Sequence, residues 1–196
     1  MASTITKKQI SLIDTLKYES LREHLQTGDL VFCSGNYQFS KAIQYFTKSV
    51  WSHVGVIYKD ENLGRMLVLE SEAGIGVRLC PLSKYLKDYH GKNKPYKGFV
   101  VIARVDPAVN SDRVKKIISY GLDELTKPYD NWEIIRIMIR ILFKITRKTK
   151  DRKYICSELI DECYKQAGVK FRLLNEFISP DDIWNDDKVV KLGRVL

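Results

Sequence analysis

The chain has 196 residues, 44% of them hydrophobic, which is typical of one globular domain that buries roughly 70% of its unfolded surface. Its four cysteines contain no C-x-x-C pair, and this argues against a zinc site or a disulfide framework. The net charge is +9, but eight Lys/Arg and a single Asp fall within residues 136–153, so the basicity belongs to one segment and does not make the whole domain a nucleic-acid binder.

Signals for membrane insertion or export are missing from the sequence. No apolar run approaches the ~20 residues that a membrane-spanning helix needs, and the N-terminus has no apolar signal region. We therefore expect a cytoplasmic protein in a reducing compartment, with peripheral membrane contact as a further expectation from the basic segment.

The N-terminal part predicts two amphipathic helices separated by a strand. Residues 5–25 combine apolar and charged side chains at helical spacing and predict one helix on the outside of the domain. A short apolar strand over residues 30–33 follows Asp29, which we interpret as a turn or capping residue. The next helix has an apolar stripe at i, i+3, i+4 and i+7, which predicts a buried face. The stripe consists of Phe39, Ala42, Ile43 and Phe46.

One of the three histidines has the setting of a catalytic base. His53 opens a strand-like run over residues 52–58, in which apolar side chains alternate with the face that carries His53. His24 lies in a charged amphipathic stretch and His90 in a polar loop rich in Gly and Lys. We interpret both as solvated surface residues.

A second strand over residues 66–71 places a carboxylate near this histidine. If the two strands form a hairpin, His53 lies opposite or diagonal to Glu70, within cross-strand reach. Glu70 would then orient the imidazole and stabilise its protonated form. Glu72 lies on the same strand face and is the alternative orienting residue.

Gly, Pro and helix-capping residues mark the ends of the remaining predicted helices and strands. These are a third strand over 74–79, a short helix over 81–87, a buried strand over 98–104, a helix from Asp106 to about residue 125, a strongly apolar helix over 132–145, a helix that begins at Cys156, a short helix capped by Ser179 and a last strand over 188–192.

The helix that begins at Cys156 is the candidate site of nucleophilic chemistry. Its apolar residues recur at helical spacing, and Gly168 marks its end. A thiol in a first helical turn lies near unpaired N–H groups and the positive end of the helix dipole, which favour thiolate. The same N–H groups can stabilise an oxyanion. The alternative is that Cys156 is a small core residue that starts a helix.

Six short motifs, in order, carry a resemblance to a known family. They are GDLVF (28–32), SHVGV (52–56), LES (69–71), PYD (128–130), YICSEL (154–159) and SPDD (179–182). The chain resembles the circularly permuted NlpC/p60 papain-like proteins, in particular the YiiX/YebB-like group, which is related to poxviral papain-like and lecithin:retinol acyltransferase-like proteins. The order of His before Cys is that of the permuted branch.

The resemblance implies both a fold and a site. The fold is α+β, with a mostly antiparallel sheet packed against the helix of the catalytic Cys; it spans residues 27–196 and follows the amphipathic helix of residues 1–26. The implied catalytic residues are Cys156, His53 and Glu70, with no metal and no cofactor. The candidate substrate contacts are Tyr37, Tyr129 and Tyr154. A packed aromatic is an equally good interpretation of Tyr129.

The expected activity is thiol-dependent hydrolysis of an amide bond in small peptides, such as cell-wall fragments. A lipid-directed acyltransferase or acyl hydrolase at a membrane surface is the alternative, and an inactive binding module is the third. Residues 132–150 predict a basic amphipathic helix that contacts anionic membranes, or else a core helix with surface cations. Nucleic acid is not an expected partner, because aromatic residues are not interleaved with these cations.

Overall fold

The computed structural model describes residues 5–106, 109–128, 155–172 and 178–196, which form an α+β fold around one antiparallel sheet. The strands are β1 (Leu30–Gly35), β2 (His53–Asp60), β3 (Arg65–Glu72), β4 (Gly76–Pro81), β5 (Gly98–Val105) and β6 (Val189–Arg194). Their order in the sheet is β4-β3-β2-β1-β5-β6. The predicted fold class is confirmed.

Helices lie on both faces of this sheet. They are α1 (Lys7–Ser11), α2 (Tyr18–His24), α3 (Gln38–Thr47), α4 (Leu82–Lys87), α5 (Ser111–Asp123), α6 (Cys156–Gln166) and α7 (Pro180–Trp184), with a 3₁₀ turn at Tyr89–Gly91. Among the described helices, none is both long enough and apolar enough to span a bilayer.

Two hydrophobic cores, one on each face, explain why the central strands are apolar throughout. On β1, Leu30 and Phe32 enter the core formed with α5, α6 and α7, whereas Val31 and Cys33 enter the core formed with α2 and α4. Successive side chains of a strand point to opposite faces, so a strand covered on both sides loses the alternation of polar and apolar residues.

The α6 helix packs against β2, β3 and α5, and hydrogen bonds hold it near both ends. The Ser157 hydroxyl donates to the Ile178 carbonyl at 2.8 Å. The Tyr164 hydroxyl donates to the carbonyl of Gly28, just before β1. Gly121 of α5 allows the close approach of α6, since a Cβ there would lie 3.2 Å from the Cys163 sulfur.

The prediction of one helix over residues 5–25 is wrong. The segment forms α1 and α2, and between them Thr15 makes a parallel bridge to Arg194 at the end of β6. Leu16 N–H donates to the Arg194 carbonyl at 2.7 Å. This long-range pairing removes two residues from any continuous helix. Both helices also reach the interior, with Ile10 and Leu21 buried.

The predicted buried stripe of α3 is also wrong, because no residue of α3 is buried. The polar side of the helix faces the sheet instead. Gln44 Nε2 donates to the Gly35 carbonyl at 3.0 Å, and a Cβ at Gly35 would lie 2.5 Å from the Ser40 hydroxyl. Amphipathic spacing predicted the helix correctly and the buried face incorrectly.

The helix predicted from Asp106 begins later. Its N-cap is Asn110, whose side chain accepts from the backbone N–H of Arg113 at 3.0 Å. Asn is a strong N-cap residue, so it competes with the Asp-Pro pair upstream. The predicted helix over 132–145 lies outside the described residues.

Candidate active site

The β2–β3 hairpin brings His53 and Glu70 together. Its register pairs Val56 with Leu69, so Glu70 is opposite Gly55 and diagonal to His53. His53 Nε2 lies 2.7 Å from Glu70 Oε2. A Cβ at Gly55 would lie 3.3 Å from the Glu70 Cβ, so the glycine leaves room for this carboxylate.

Glu70 is fully buried and accepts hydrogen bonds from three side chains. Besides His53, Arg78 donates from Nε to Oε1 at 2.9 Å and forms an ion pair with its Nη2 2.8 Å from the same oxygen, and the Tyr85 hydroxyl donates to Oε2. Burial acts to raise the pKa of Glu70. The hydrogen bond and charge of His53, the charge of Arg78 and the Tyr85 hydroxyl outweigh it and lower that pKa. The carboxylate is therefore charged.

Glu72, the alternative orienting residue, is held more loosely. Its Oε2 lies 3.8 Å from His53 Nε2 and 3.8 Å from Arg78 Nη2. Its Oε1 lies 3.8 Å from His90 Nε2 and 3.4 Å from the Tyr89 hydroxyl. Burial raises the pKa of Glu72 above its ordinary value. Glu70, rather than Glu72, is the carboxylate in hydrogen-bond contact with His53.

His53 connects this carboxylate network to Cys156. Burial acts to lower the pKa of His53, but hydrogen bonds to Cys156 and Glu70, with the charges of both, raise it well above its usual range. Nε2 is the ring nitrogen that contacts Glu70, which leaves Nδ1 for the proton exchange with the thiol. Cys156 is the first residue of α6 and is only 5% exposed. The candidate base and the candidate nucleophile are therefore neighbours.

Sequence comparison assigns the chain to a family. Residues 24–190 match the family described as "Permuted papain-like amidase enzyme, YaeF/YiiX, C92 family". The chain belongs to this family. Members of the family are papain-like cysteine hydrolases, the enzyme class predicted from the motifs, and the match supports the predicted YiiX-like group.

This C92 family chain is similar to a protein and to a solved structure from Escherichia coli. The chain is 29% identical over 151 residues to "Uncharacterized protein YiiX" of strain K12, a match that covers 72% of this chain and 58% of that protein. It is also similar to the crystal structure of "metalloprotein yiiX" from strain O157:H7. That likeness has a TM-score of 0.62 and 23% identity, covers 86% of this chain and 97% of the other, and supports the fold alone.

The name of that crystal structure calls the Escherichia coli protein a metalloprotein, and this description applies to that protein only. His53, Glu70 and Glu72 each offer one ligand atom, and these atoms lie within 4.8 Å of one another. However, both Glu70 oxygens already accept hydrogen bonds, and the Arg78 guanidinium lies against both carboxylates. A divalent cation would have to displace the His53–Glu70 hydrogen bond beside a fixed positive charge. These residues do not fit a resident metal ion.

Of the other candidate residues, two lie in the described part of the chain and two lie outside it. Tyr37 is the N-cap of α3; its hydroxyl accepts from Lys97 N–H at 2.9 Å, and its ring packs on that of Tyr96. Tyr129 and Tyr154 lie outside the described residues. Asp29 is buried and bonds to Arg104 Nε at 2.6 Å, which fits the interpretation as a structural turn residue.

The positions of three residues near the Glu70 and Glu72 carboxylates were not predicted from the sequence. Arg78 lies directly opposite Glu70 on β4, a cross-strand charge pair that the hairpin pattern could have revealed. Tyr85 reaches Glu70 from α4, and no local signal predicts that contact. His90 stays partly exposed as predicted, but it stacks on Tyr89 and lies 3.5 Å from Arg78.

Proposed function

We propose that this chain hydrolyses an amide bond through Cys156, His53 and Glu70. The observation that supports the proposal best is the hydrogen bond of 2.7 Å between His53 Nε2 and the buried Glu70 carboxylate, in a histidine whose pKa is also raised by the nearby Cys156. A base held between a nucleophile and an orienting group is the arrangement that acyl transfer needs.

Each residue has a defined role in the proposed reaction. The Cys156 thiolate attacks the carbonyl carbon, and the Cys156 N–H at the start of α6 stabilises the oxyanion. His53, protonated at Nδ1, donates its proton to the leaving amine as the C–N bond breaks. Neutral His53 then takes a proton from water, whose oxygen attacks the thioester and releases the carboxylic acid and the thiol. Glu70 keeps the ring orientation and tautomer throughout.

Small peptides, such as cell-wall fragments, are the substrates we propose. Lipid-directed acyl transfer or hydrolysis remains the second candidate, and it is favoured by the apolar residues of α3 that are not buried. The raised pKa of His53, to which both Cys156 and Glu70 contribute, argues against a non-catalytic binding module.

Trapping of an acyl-enzyme tests the proposed reaction. The protein is mixed with an activated peptide ester and, separately, with an activated long-chain fatty acyl ester, and intact mass spectrometry follows the adduct. We expect an adduct on Cys156 that C156S abolishes and C163S retains. An adduct equally strong in C156S would contradict the proposed nucleophile. Faster turnover of the fatty acyl ester than of the peptide ester would favour the second candidate.

A further inference from the structure

The α3 helix exposes aromatic side chains. Phe39 is 38% exposed and Tyr45 is 77% exposed, and the Tyr45 ring packs edge-on against Phe46 with centroids 5.4 Å apart. Ile43 is only partly buried. An amphipathic helix normally buries its apolar stripe in the core, but within the described part of the chain this helix leaves Phe39 and Tyr45 exposed and the rest of the stripe only partly buried, so this surface can take another partner.

The α3 helix also borders the active site. Cys33, near the end of β1, pairs with His53. Two residues further, Gly35 N–H donates to the Ser52 hydroxyl at 3.1 Å, and the Gly35 carbonyl accepts from Gln44 of α3 at 3.0 Å. The helix is therefore fixed to the end of the strand that lies beside the proposed catalytic base.

Positive charge surrounds the exposed aromatics. Residues 30–59 include no Asp or Glu, and Lys41 and Lys48 lie on α3 and at its C-cap, both exposed. One carboxylate approaches this surface, because Asp181 accepts from the Ser49 hydroxyl at 3.0 Å. Burial raises the pKa of that carboxyl, and its Oδ2 also accepts from Asn185 Nδ2 at 3.0 Å.

Two further cations lie at the other end of the helix. Lys7 Nζ donates to the Asn36 side chain at 3.0 Å, just before α3. Lys97 donates its backbone N–H to the Tyr37 hydroxyl, which places its exposed side chain near the same end. The cationic border thus extends along the length of α3.

We propose that α3 is an interfacial helix that docks the protein on an anionic phospholipid bilayer, with the active site next to the lipid surface. Aromatic side chains with one polar end settle at the headgroup level, and lysines near the surface are attracted by anionic lipid. The cores of protein–protein interfaces are instead depleted of lysine. The surface therefore fits a membrane better than a protein partner, whichever acyl substrate the site takes.

Vesicle co-sedimentation tests the docking surface with matched variants. The full chain is mixed with phosphatidylcholine vesicles with and without phosphatidylglycerol, at low and raised salt. We expect K41Q/K48Q to weaken partitioning onto anionic vesicles by about 25-fold, roughly fivefold for each lysine. F39S/Y45S should weaken it at all salt concentrations. The control K115Q/K116Q removes two exposed lysines of α5 and should have no effect.

A fluorescence measurement adds a readout of insertion. Tyr45→Trp should shift its emission to shorter wavelength on anionic vesicles, whereas Leu63→Trp, exposed in the turn between β2 and β3, should not. The proposal is overturned if wild-type protein does not bind these vesicles. It is also overturned if the α3 variants bind unchanged while R136Q/R140Q/K144Q loses binding, which would assign the contact to residues 132–150.

Discussion

Removal of the Glu70 charge is the sharpest test of the proposed site. Glu70→Gln keeps the side-chain shape, but the amide cannot accept from His53, Arg78 and Tyr85 together. It also leaves the mostly buried Arg78 guanidinium without its close partner. Breaking a buried ion pair from one side costs about 3–5 kcal/mol, and the low end applies because Arg78 is partly exposed. For a domain of this size the loss lowers Tm by roughly 10 °C.

The same substitution should act on His53 and on the reaction. Without the carboxylate, His53 loses the hydrogen bond and charge that hold its pKa high, so its pKa should fall. The rate of acylation of Cys156 by an activated ester should fall at least about 100-fold, the lower range for loss of general acid–base catalysis. NMR titration of the imidazole nitrogens gives the His53 pKa, and intact mass spectrometry gives the rate.

The matched control is Glu72→Gln. Glu72 makes only contacts of 3.4–3.8 Å, so its loss should change the free energy of unfolding by about 1 kcal/mol or less and leave the acylation rate within about fivefold. If Glu72→Gln slows acylation as much as Glu70→Gln, Glu72 is the orienting residue. If Glu70→Gln leaves the His53 titration unchanged, the inferred network does not operate.

Three further predictions address the thiols, the pH dependence of stability and the β3–β4 turn. Iodoacetamide should label Cys156 first near neutral pH, because burial raises the pKa of Cys80 to about 11 and of Cys163 to about 12. Peptide mass spectrometry measures the labelling rates, and faster labelling of Cys80 or Cys163 than of Cys156 would contradict this prediction. The pKa of His53 in the folded protein is raised above 6.5, so its contribution to stability is complete below pH 6.5 and is lost as the pH rises through the folded pKa. The pKa of Glu70 in the folded protein is lowered below 4.5, so its contribution is complete above pH 4.5 and is lost as the pH falls through the folded pKa. Urea unfolding across pH should show both losses in the wild type and a flatter profile in H53Q/E70Q; equal profiles would refute the linkage. G76A should lower Tm at least about twice as much as G74A. Both glycines have positive φ, but only a Cβ at position 76 would meet a backbone oxygen, that of Lys127 at 2.3 Å. Equal shifts of Tm in thermal melts would contradict this clash.

Local sequence patterns were sufficient for the elements that hold the proposed site. Period-two alternation predicted the β2–β3 hairpin and the approach of Glu70 to His53, and both depend only on residues close in the chain. The capping box at Ser179 and the helix start at Cys156 are local as well. Such features need no knowledge of the tertiary structure.

Features that depend on distant contacts were not predictable. The break between α1 and α2 follows from pairing of Thr15 with Arg194, at opposite ends of the chain. The orientation of α3 follows from the bond between Gln44 and the Gly35 carbonyl. Hydrophobic spacing shows that a helix has two faces, but the tertiary contacts decide which face is covered.

The charge state of Glu70 links the site to the assembly of the sheet. Arg78 faces Glu70 only in the observed β3–β4 register, and a slip by one residue would move either side chain to the opposite face. Without that guanidinium, burial would raise the pKa of the Glu70 carboxyl, and a less charged Glu70 would stabilise a protonated His53 less. Thus β2, β3 and β4 must all pair correctly before Cys156 has a charged histidine beside it. The proposed nucleophile lies on α6, but the residues that keep its neighbouring histidine charged lie on β3 and β4.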